Sequence, residues 1–412
     1  MSCKRHCDDT RRSQVRENPR VKVCDGNKAA AYGVLLCKPD VIAIYPITPQ
    51  TPLAEQLSRF QSEGLLDSEI IEVEGENSAM SSVIGASAAG GRVFTATSSW
   101  GLVFMYDALL MAAGTRSPIV MVNVNRETPH LMSVTFSRQD IMSVRDSGWI
   151  QIELENCQEI LDSIIMGYRL AEDPDILLPV MVSYDGIYLS HFSERVEIPH
   201  QRLVDRFLAP LLKSKRMKLS SGESLSFFTS CTGRGDLLTE YRYKHCAALE
   251  RAKVKLEDLR EDFKKIFGRE YSGAIEQYKT DDADILLVAM GSSVGTARVI
   301  VDQKRKEGLK IGLVKIKMFR PFPSGGLYHV LKGRKAIGIL DRSVCLGWNC
   351  GHLYIELAAA MGLNGLSVPM LNFIVGLGGL DITLKKIGRA IDLTQKAGVE
   401  GVTDRVFWID LE

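Results

Sequence analysis

The sequence predicts an α/β protein in two units, each built on a mainly parallel sheet covered by helices. Short apolar runs at residues 41–45, 70–73, 92–97 and 118–124 alternate with stretches of helical spacing, the march of strands buried on both faces. After a polar interruption the alternation resumes, from residues 284–290 to 368–374. At 412 residues the chain is long enough for two cores.

Bulk properties exclude several function classes. A quarter of the residues are charged, yet the net charge is only +1, which gives nucleic acid or an acidic membrane surface nothing to attract. The apolar runs are too short and too interrupted for a transmembrane span. Residues 1–20 form a polar extension without the apolar stretch of a secretory signal. The nine cysteines are scattered, as expected of reduced thiols in a cytoplasm. Cys3 and Cys7 have no second close pair, and Cys345 and Cys350 read as loop packing. With no Cys-x-x-Cys, neither a metal site nor an iron–sulfur cluster of usual spacing is expected in this chain. Any electrons would leave through another subunit.

The elements follow in order. Asp25 or Asn27 caps a helix over 28–36, and Pro39 stops it. The strand 41–45 drives into Pro46-Ile47-Thr48-Pro49-Gln50-Thr51-Pro52, a loop stiffened by three prolines. On spacing alone this loop is a proline-rich connector. Leu53, Leu57 and Phe60 mark a helix over 52–60. A helix of small residues over 77–89 lets another backbone or a ligand approach closely. A further helix is expected over 102–113.

Ligands of such sheets bind at the carboxyl ends of the strands. There stand Thr48, then Glu74 and Glu76, then Ser98 and Ser99, then Arg126. Each alone has a plain reading: Glu76 as a complement to a helix dipole, Arg126 as a surface ion pair. Together they predict an anion-binding edge.

Several motifs carry a resemblance. Tyr45-Pro46-Ile47-Thr48-Pro49, Glu74-Gly75-Glu76-Asn77-Ser78-Ala79, Thr95-Ala96-Thr97-Ser98-Ser99-Trp100-Gly101-Leu102, Val144-Arg145-Asp146-Ser147-Gly148-Trp149 and Ser183-Tyr184-Asp185-Gly186 occur in this order. Over roughly residues 21–412 the chain resembles the α subunits of 2-oxoacid:acceptor oxidoreductases. That resemblance implies a parallel-sheet, thiamine-diphosphate pyrimidine-type domain, followed by a transketolase C-terminal-like α/β domain. It implies Glu76 as the catalytic carboxylate facing the cofactor's aminopyrimidine ring, with Pro46 and Ser99 also cofactor-binding. Thr48 and Arg126 correspond to substrate-binding positions, since a bidentate guanidinium suits a carboxylate better than a lysine does. A carboxylate hydrogen-bonded to the aminopyrimidine helps remove the thiazolium C2 proton.

The resemblance also implies partners. The chain lacks a Gly-Asp-Gly…Asn motif for magnesium and diphosphate. Gly233-Arg234-Gly235-Asp236 is the nearest look-alike. A β subunit carrying the diphosphate and Mg2+ half-site is therefore implied, with an iron–sulfur (ferredoxin-like) subunit, a γ subunit, a flavin or NAD subunit in some relatives, and coenzyme A as a substrate. The domains expected are the extension 1–20, a catalytic domain 21–245 that includes a polar loop, a helical connector 246–280 stopped at Gly268, and a C-terminal domain 281–412. One departure stands out. Where relatives carry an Asn-Asp-His-x-Asp-like run, this chain has Ser133-Val134-Thr135-Phe136-Ser137-Arg138-Gln139-Asp140, and only Asp140 matches cleanly. Arg138 replaces the histidine and is expected to bind substrate, with Phe136 adding an aromatic. The expected activity is CoA-acylating oxidative decarboxylation of a 2-oxo acid, phenylglyoxylate first, with pyruvate, a branched-chain 2-oxo acid or oxalate as alternatives. A non-catalytic transketolase-like scaffold is the rival class.

Overall fold

The computed structural model describes residues 19–128, 133–208, 234–401 and 404–411. The first unit opens with β1 (Arg20–Cys24) and α1 (Gly26–Cys37). Asp25 caps α1, accepting from the Lys28 amide at 2.8 Å, a contact of a kind that stabilises a helix by about 1 kcal/mol. Next come β2 (Val41–Ile44), α2 (Thr51–Ser62), β3 (Glu69–Glu72), α3 (Glu76–Ala88) and β4 (Val93–Thr97). The helix expected over 102–113 is two, α4 (Ser99–Phe104) and α5 (Tyr106–Gly114), because the backbone leaves helical geometry at Met105. β5 (Val120–Asn125), α6 (Gln139–Ser143), β6 (Ile150–Glu153), α7 (Cys157–Ala171), β7 (Val180–Asp185), β8 (Glu194–Ile198) and α8 (Gln201–Phe207) follow. The polar loop lies almost wholly outside the described residues, as do Cys3 and Cys7.

α9 (Gly235–Phe267) is 33 residues long and starts well before the expected connector 246–280. Its Ala248, Ala252, Leu256, Leu259 and Phe263 lie in the first unit's core, and Gly268 ends it in the left-handed conformation. The second unit comprises β9 (Ile275–Tyr278), β10 (Ile285–Ala289), α10 (Ser293–Lys306), β11 (Ile311–Ile316), β12 (Met318–Arg320), α11 (Ser324–Leu331), β13 (Ala336–Asp341), α12 (His352–Leu363), β14 (Met370–Ile374), α13 (Leu384–Glu400) and β15 (Val406–Trp408). Thr383 caps α13, its side chain accepting from the Lys386 amide.

The first sheet has the order β3-β2-β4-β5-β7-β6-β12, parallel except for β12, which comes from the second unit and pairs antiparallel with β6. The second has the order β15-β14-β13-β10-β11-β9, parallel except for β9. Each sheet is doubly wound, with a reversal of strand order between β2 and β4 in the first and between β10 and β13 in the second. Crevices for ligands form at such reversals. The units share apolar packing: one buried cluster runs from Ala43 and Val83 to Leu286 and Ile337.

Candidate functional site

The switch point of the first sheet gathers four of the residues singled out by sequence. Thr48 follows β2, Glu76 follows β3, Ser99 follows β4 and Arg126 follows β5. The loop after β2 is anchored from below. Asn27 donates from Nδ2 to the carbonyls of Pro49 and Ser190 at 2.9 and 3.1 Å, and Tyr184 donates to its Oδ1 at 2.8 Å. Pro46 and Thr48 are left exposed at the rim.

Glu76 is the first residue of α3 and is 8% exposed. Its Oε1 lies 2.5 Å from where a Cβ on Gly101 would stand, so only glycine at 101 leaves room for this carboxylate. No described residue bonds to it. Beside it, the Thr97 hydroxyl is buried with no partner among the described residues, and so is that of Ser98, the next residue along the chain. Buried polar atoms are rarely left so. A carboxylate with orphaned hydroxyls beside it suits a ring carrying amino and imino nitrogens, so the residues fit an aminopyrimidine.

Arg126 is half-buried. Its Nε donates to the Ser133 carbonyl at 2.8 Å and Nη1 to the Thr48 carbonyl at 2.9 Å, while Nη2 bonds no described residue. Burial lowers the pKa of the guanidinium, and Asp140 opposes that. The guanidinium thus faces main-chain carbonyls and forms no ion pair with a described carboxylate.

Two expected site residues are placed differently. Arg138 is buried, donating to Glu153 at 3.0 Å and Asp185 at 2.8 Å. Its guanidinium is taken up by these two carboxylates and is not presented at the open edge, contrary to the expectation. Phe136 is likewise buried, with the Arg342 guanidinium 3.8 Å from its ring centroid. Ser99 sits on the edge but turns inward: its hydroxyl donates to the Glu127 carbonyl and its amide to Asp140 at 3.1 Å. It shapes the edge and does not present a hydroxyl to a ligand. The look-alike at Asp236 is an exposed carboxylate held by Arg234 at the start of α9. Among the described residues no three His, Cys, Asp or Glu side chains cluster as a metal site, and no helix is long and apolar enough to cross a membrane.

What sequence reasoning passed over is a set of buried polar residues at the strand ends: Asn123, Asn125 and Glu153, with Asp185 noted only as part of a motif. Polar side chains inside otherwise apolar strands were the signal. A cleft of about 620 Å³ opens beyond Ser133, between Thr128, Thr135 and Gln139 of one unit and Leu346, Leu377 and Trp408 of the other. On α4 and α5, Trp100, Val103, Phe104, Leu110 and Met111 are exposed apolar side chains.

The first unit is thus a doubly wound domain with a carboxylate and an arginine at its switch point, and it is joined to a second α/β unit. Residues 32–261 match the family described as pyruvate flavodoxin/ferredoxin oxidoreductase, thiamine diphosphate-binding, and residues 283–387 match pyruvate:ferredoxin oxidoreductase core domain II. The chain belongs to this family, as an α subunit. It is 43% identical to the pyruvate synthase subunit PorA of Methanocaldococcus jannaschii over 95% of this chain and 98% of that one. It is 39% identical to the α subunit of the NADH-dependent phenylglyoxylate dehydrogenase of Aromatoleum evansii, over 91% of each. The ketoisovalerate oxidoreductase subunit VorA of Pyrococcus abyssi is 42% identical over 97% of this chain and 100% of its own. The fold is shared with a 2-oxoglutarate:ferredoxin oxidoreductase from Magnetococcus marinus, solved with 2-oxoglutarate, coenzyme A and succinyl-CoA bound. That match has a TM-score of 0.65 at 20% identity and covers 91% of this chain and 65% of that one.

Proposed function

We propose that this α subunit carries the pyrimidine-facing half of a thiamine diphosphate site that oxidatively decarboxylates a 2-oxo acid and passes the acyl group to coenzyme A. The observation that carries the reading is Arg126, a guanidinium fixed by two carbonyls and paired with no described carboxylate. Such a group binds the one anionic feature common to all 2-oxo acids. Thr48, exposed on the same rim, would donate to that substrate. Glu76 would hold the aminopyrimidine, with Pro46 bordering the ring. When bound, the cofactor supplies a nucleophilic carbon and an electron sink for decarboxylation. Glu76 holds a proton position on the ring, Gly101 admits its carboxylate, and the rim loop orients the oxo acid.

The missing diphosphate half would come from a β subunit seated on the apolar face of α4 and α5. Iron–sulfur and γ subunits, with NAD or ferredoxin as final acceptor, would take the electrons. The substrate put forward first is phenylglyoxylate. The apolar wall of Leu346, Leu377 and Trp408 beyond Ser133 favours a bulky side chain, and a relative acting on that acid is 39% identical. The test is a panel: the assembled complex is given phenylglyoxylate, pyruvate, 3-methyl-2-oxobutanoate and oxalate with coenzyme A and a dye acceptor. The expected result is the largest kcat/KM on phenylglyoxylate. A preference for pyruvate would overturn the substrate, and turnover by the isolated chain would overturn the shared site.

A further inference from the structure

Asp140 lies behind the rim, fully buried at the start of α6. Its Oδ2 accepts three hydrogen bonds: from the Ser99 amide at 3.1 Å, the Arg126 amide at 3.1 Å and the Asn123 side chain at 3.0 Å. Its Oδ1 accepts from the Ile141 amide at 2.8 Å. One carboxylate thus ties the loop after β4 to the loop after β5. The Ser99 hydroxyl, bonded to the Glu127 carbonyl, adds a second tie between the same loops.

Ser99 shows why an anchor is needed. Its φ of 43° is in the left-handed region, which costs a non-glycine residue about 1–3 kcal/mol and persists only where the surroundings impose it. The amide that this conformation turns inward is the one Asp140 accepts. Arg126 depends on the same oxygen: with its main chain fixed there, its side chain spans from the Ser133 carbonyl to the Thr48 carbonyl.

The orientation of Asp140 is itself fixed from behind. Asn123 Nδ2 also donates to Asn125 Oδ1 at 2.9 Å, and Asn125 donates to Glu153 at 3.2 Å. Glu153 accepts from Arg138 at 3.0 Å, and Arg138 donates to Asp185 at 2.8 Å. Burial pushes the Asp140 carboxyl up to about 7, but every hydrogen bond it receives favours the charged form.

We propose that Asp140 is a positioning residue of this edge, holding the main chain of Ser99 and Arg126 so that the Arg126 guanidinium meets the substrate carboxylate. It does not touch substrate. The proposal rests on reading the edge as a 2-oxo acid site.

The test uses the assembled multi-subunit enzyme. Asp140→Asn keeps the shape but turns a donor toward amides that need an acceptor. KM for the 2-oxo acid should rise about 10- to 100-fold, the scale on which small misplacements act. KM for coenzyme A, the content of bound thiamine diphosphate and kcat at saturating oxo acid should stay within a few-fold. Combined with Arg126→Lys, the losses should be non-additive, because both changes act on one guanidinium. Asn123→Ala, which withdraws the donor on the far side, should raise the same KM a few-fold even if Asp140→Asn does not assemble. Normal oxo-acid KM in folded variants, or additive losses in the double variant, would overturn the positioning role while leaving the site reading intact. A wild-type assembly that consumes no 2-oxo acid would overturn both.

Discussion

The two sheets end in crevices of the same kind with opposite fates. At the first switch point the strand ends are open: Thr48 and Pro46 are exposed, one arm of Arg126 is free, and Glu76 has no described partner. At the second, the crevice is filled by the first unit. Gly291, with φ of 63°, leaves the space that the Arg138 guanidinium enters. Ser292, beside it, donates from its amide at 3.2 Å and from its hydroxyl to Asp185. Arg342, just past β13, lies 3.6 Å from the same carboxylate. A side-chain carboxylate thus occupies the kind of place where a doubly wound sheet would bind an anionic ligand. The lesson is that architecture provides the crevice, and the residues at the strand ends decide whether it becomes a site or a joint.

The comparison breaks first at Glu76. Glu76→Gln in the assembled enzyme should reduce turnover by about 10²–10⁴-fold, the usual contribution of a positioned proton-transfer group. It should leave the thermal midpoint of the isolated chain nearly unchanged. The rate of C2-proton exchange of bound thiamine diphosphate checks this: exchange at the wild-type rate would remove Glu76 from cofactor activation. The filled crevice should answer in stability instead. Arg138→Met leaves Glu153 and Asp185 buried with reduced compensation and should cost about 3–5 kcal/mol in denaturant unfolding. A loss under 1 kcal/mol would mean that the joint does not depend on this charge.

The smallest expected effect is a pH dependence at the same junction. Glu159, on α7, pairs with Lys315 at 2.8 Å and Lys317 at 3.1 Å. Burial works to raise its pKa, but the two lysines and the hydrogen bonds prevail and hold it at about 2. A depressed carboxyl contributes stability that is present above its unfolded value near 4.5 and is lost as pH falls toward about 2. The loss should amount to no more than about 3 kcal/mol. In Glu159→Gln the unfolding free energy should fall less steeply across that window. An acid limb as steep as that of the wild type would assign the dependence to other carboxylates.

Much of this was legible because the open edge is made of loops with plain signals. Apolar strands ending in Thr48, Glu76, Ser99 and Arg126 mark themselves and yield the fold class, while the family came from the resemblance of the chain's ordered motifs. The joint was harder to read. β6 is Ile-Gln-Ile-Glu and β7 ends Ser-Tyr-Asp. Their polar residues look like breaks in a strand until the ion network that buries them is seen. α7 differs: Ile160, Leu161, Ile164, Ile165 and Tyr168 recur at helical spacing, but its polar Glu159, Asp162 and Ser163 are buried as well, which that spacing does not foretell. Arg138 was misplaced because sequence position beside a site does not tell which way a side chain turns. Here Glu153 and Asp185 draw it inward.

β12 has a consequence for how the chain comes to be made. The outer rim of β6 is closed by a strand that begins about 165 residues after β6 ends. At about 5–20 residues per second, a ribosome needs roughly 10–30 s to deliver it. Until then the nascent first sheet holds a row of unpaired amides and carbonyls, the feature that invites pairing between neighbouring chains. A gene fragment ending before Met318 would keep that vulnerability permanently. The two halves are therefore unsuited to separate expression, and growth temperature and chaperone supply should govern the yield of the intact chain.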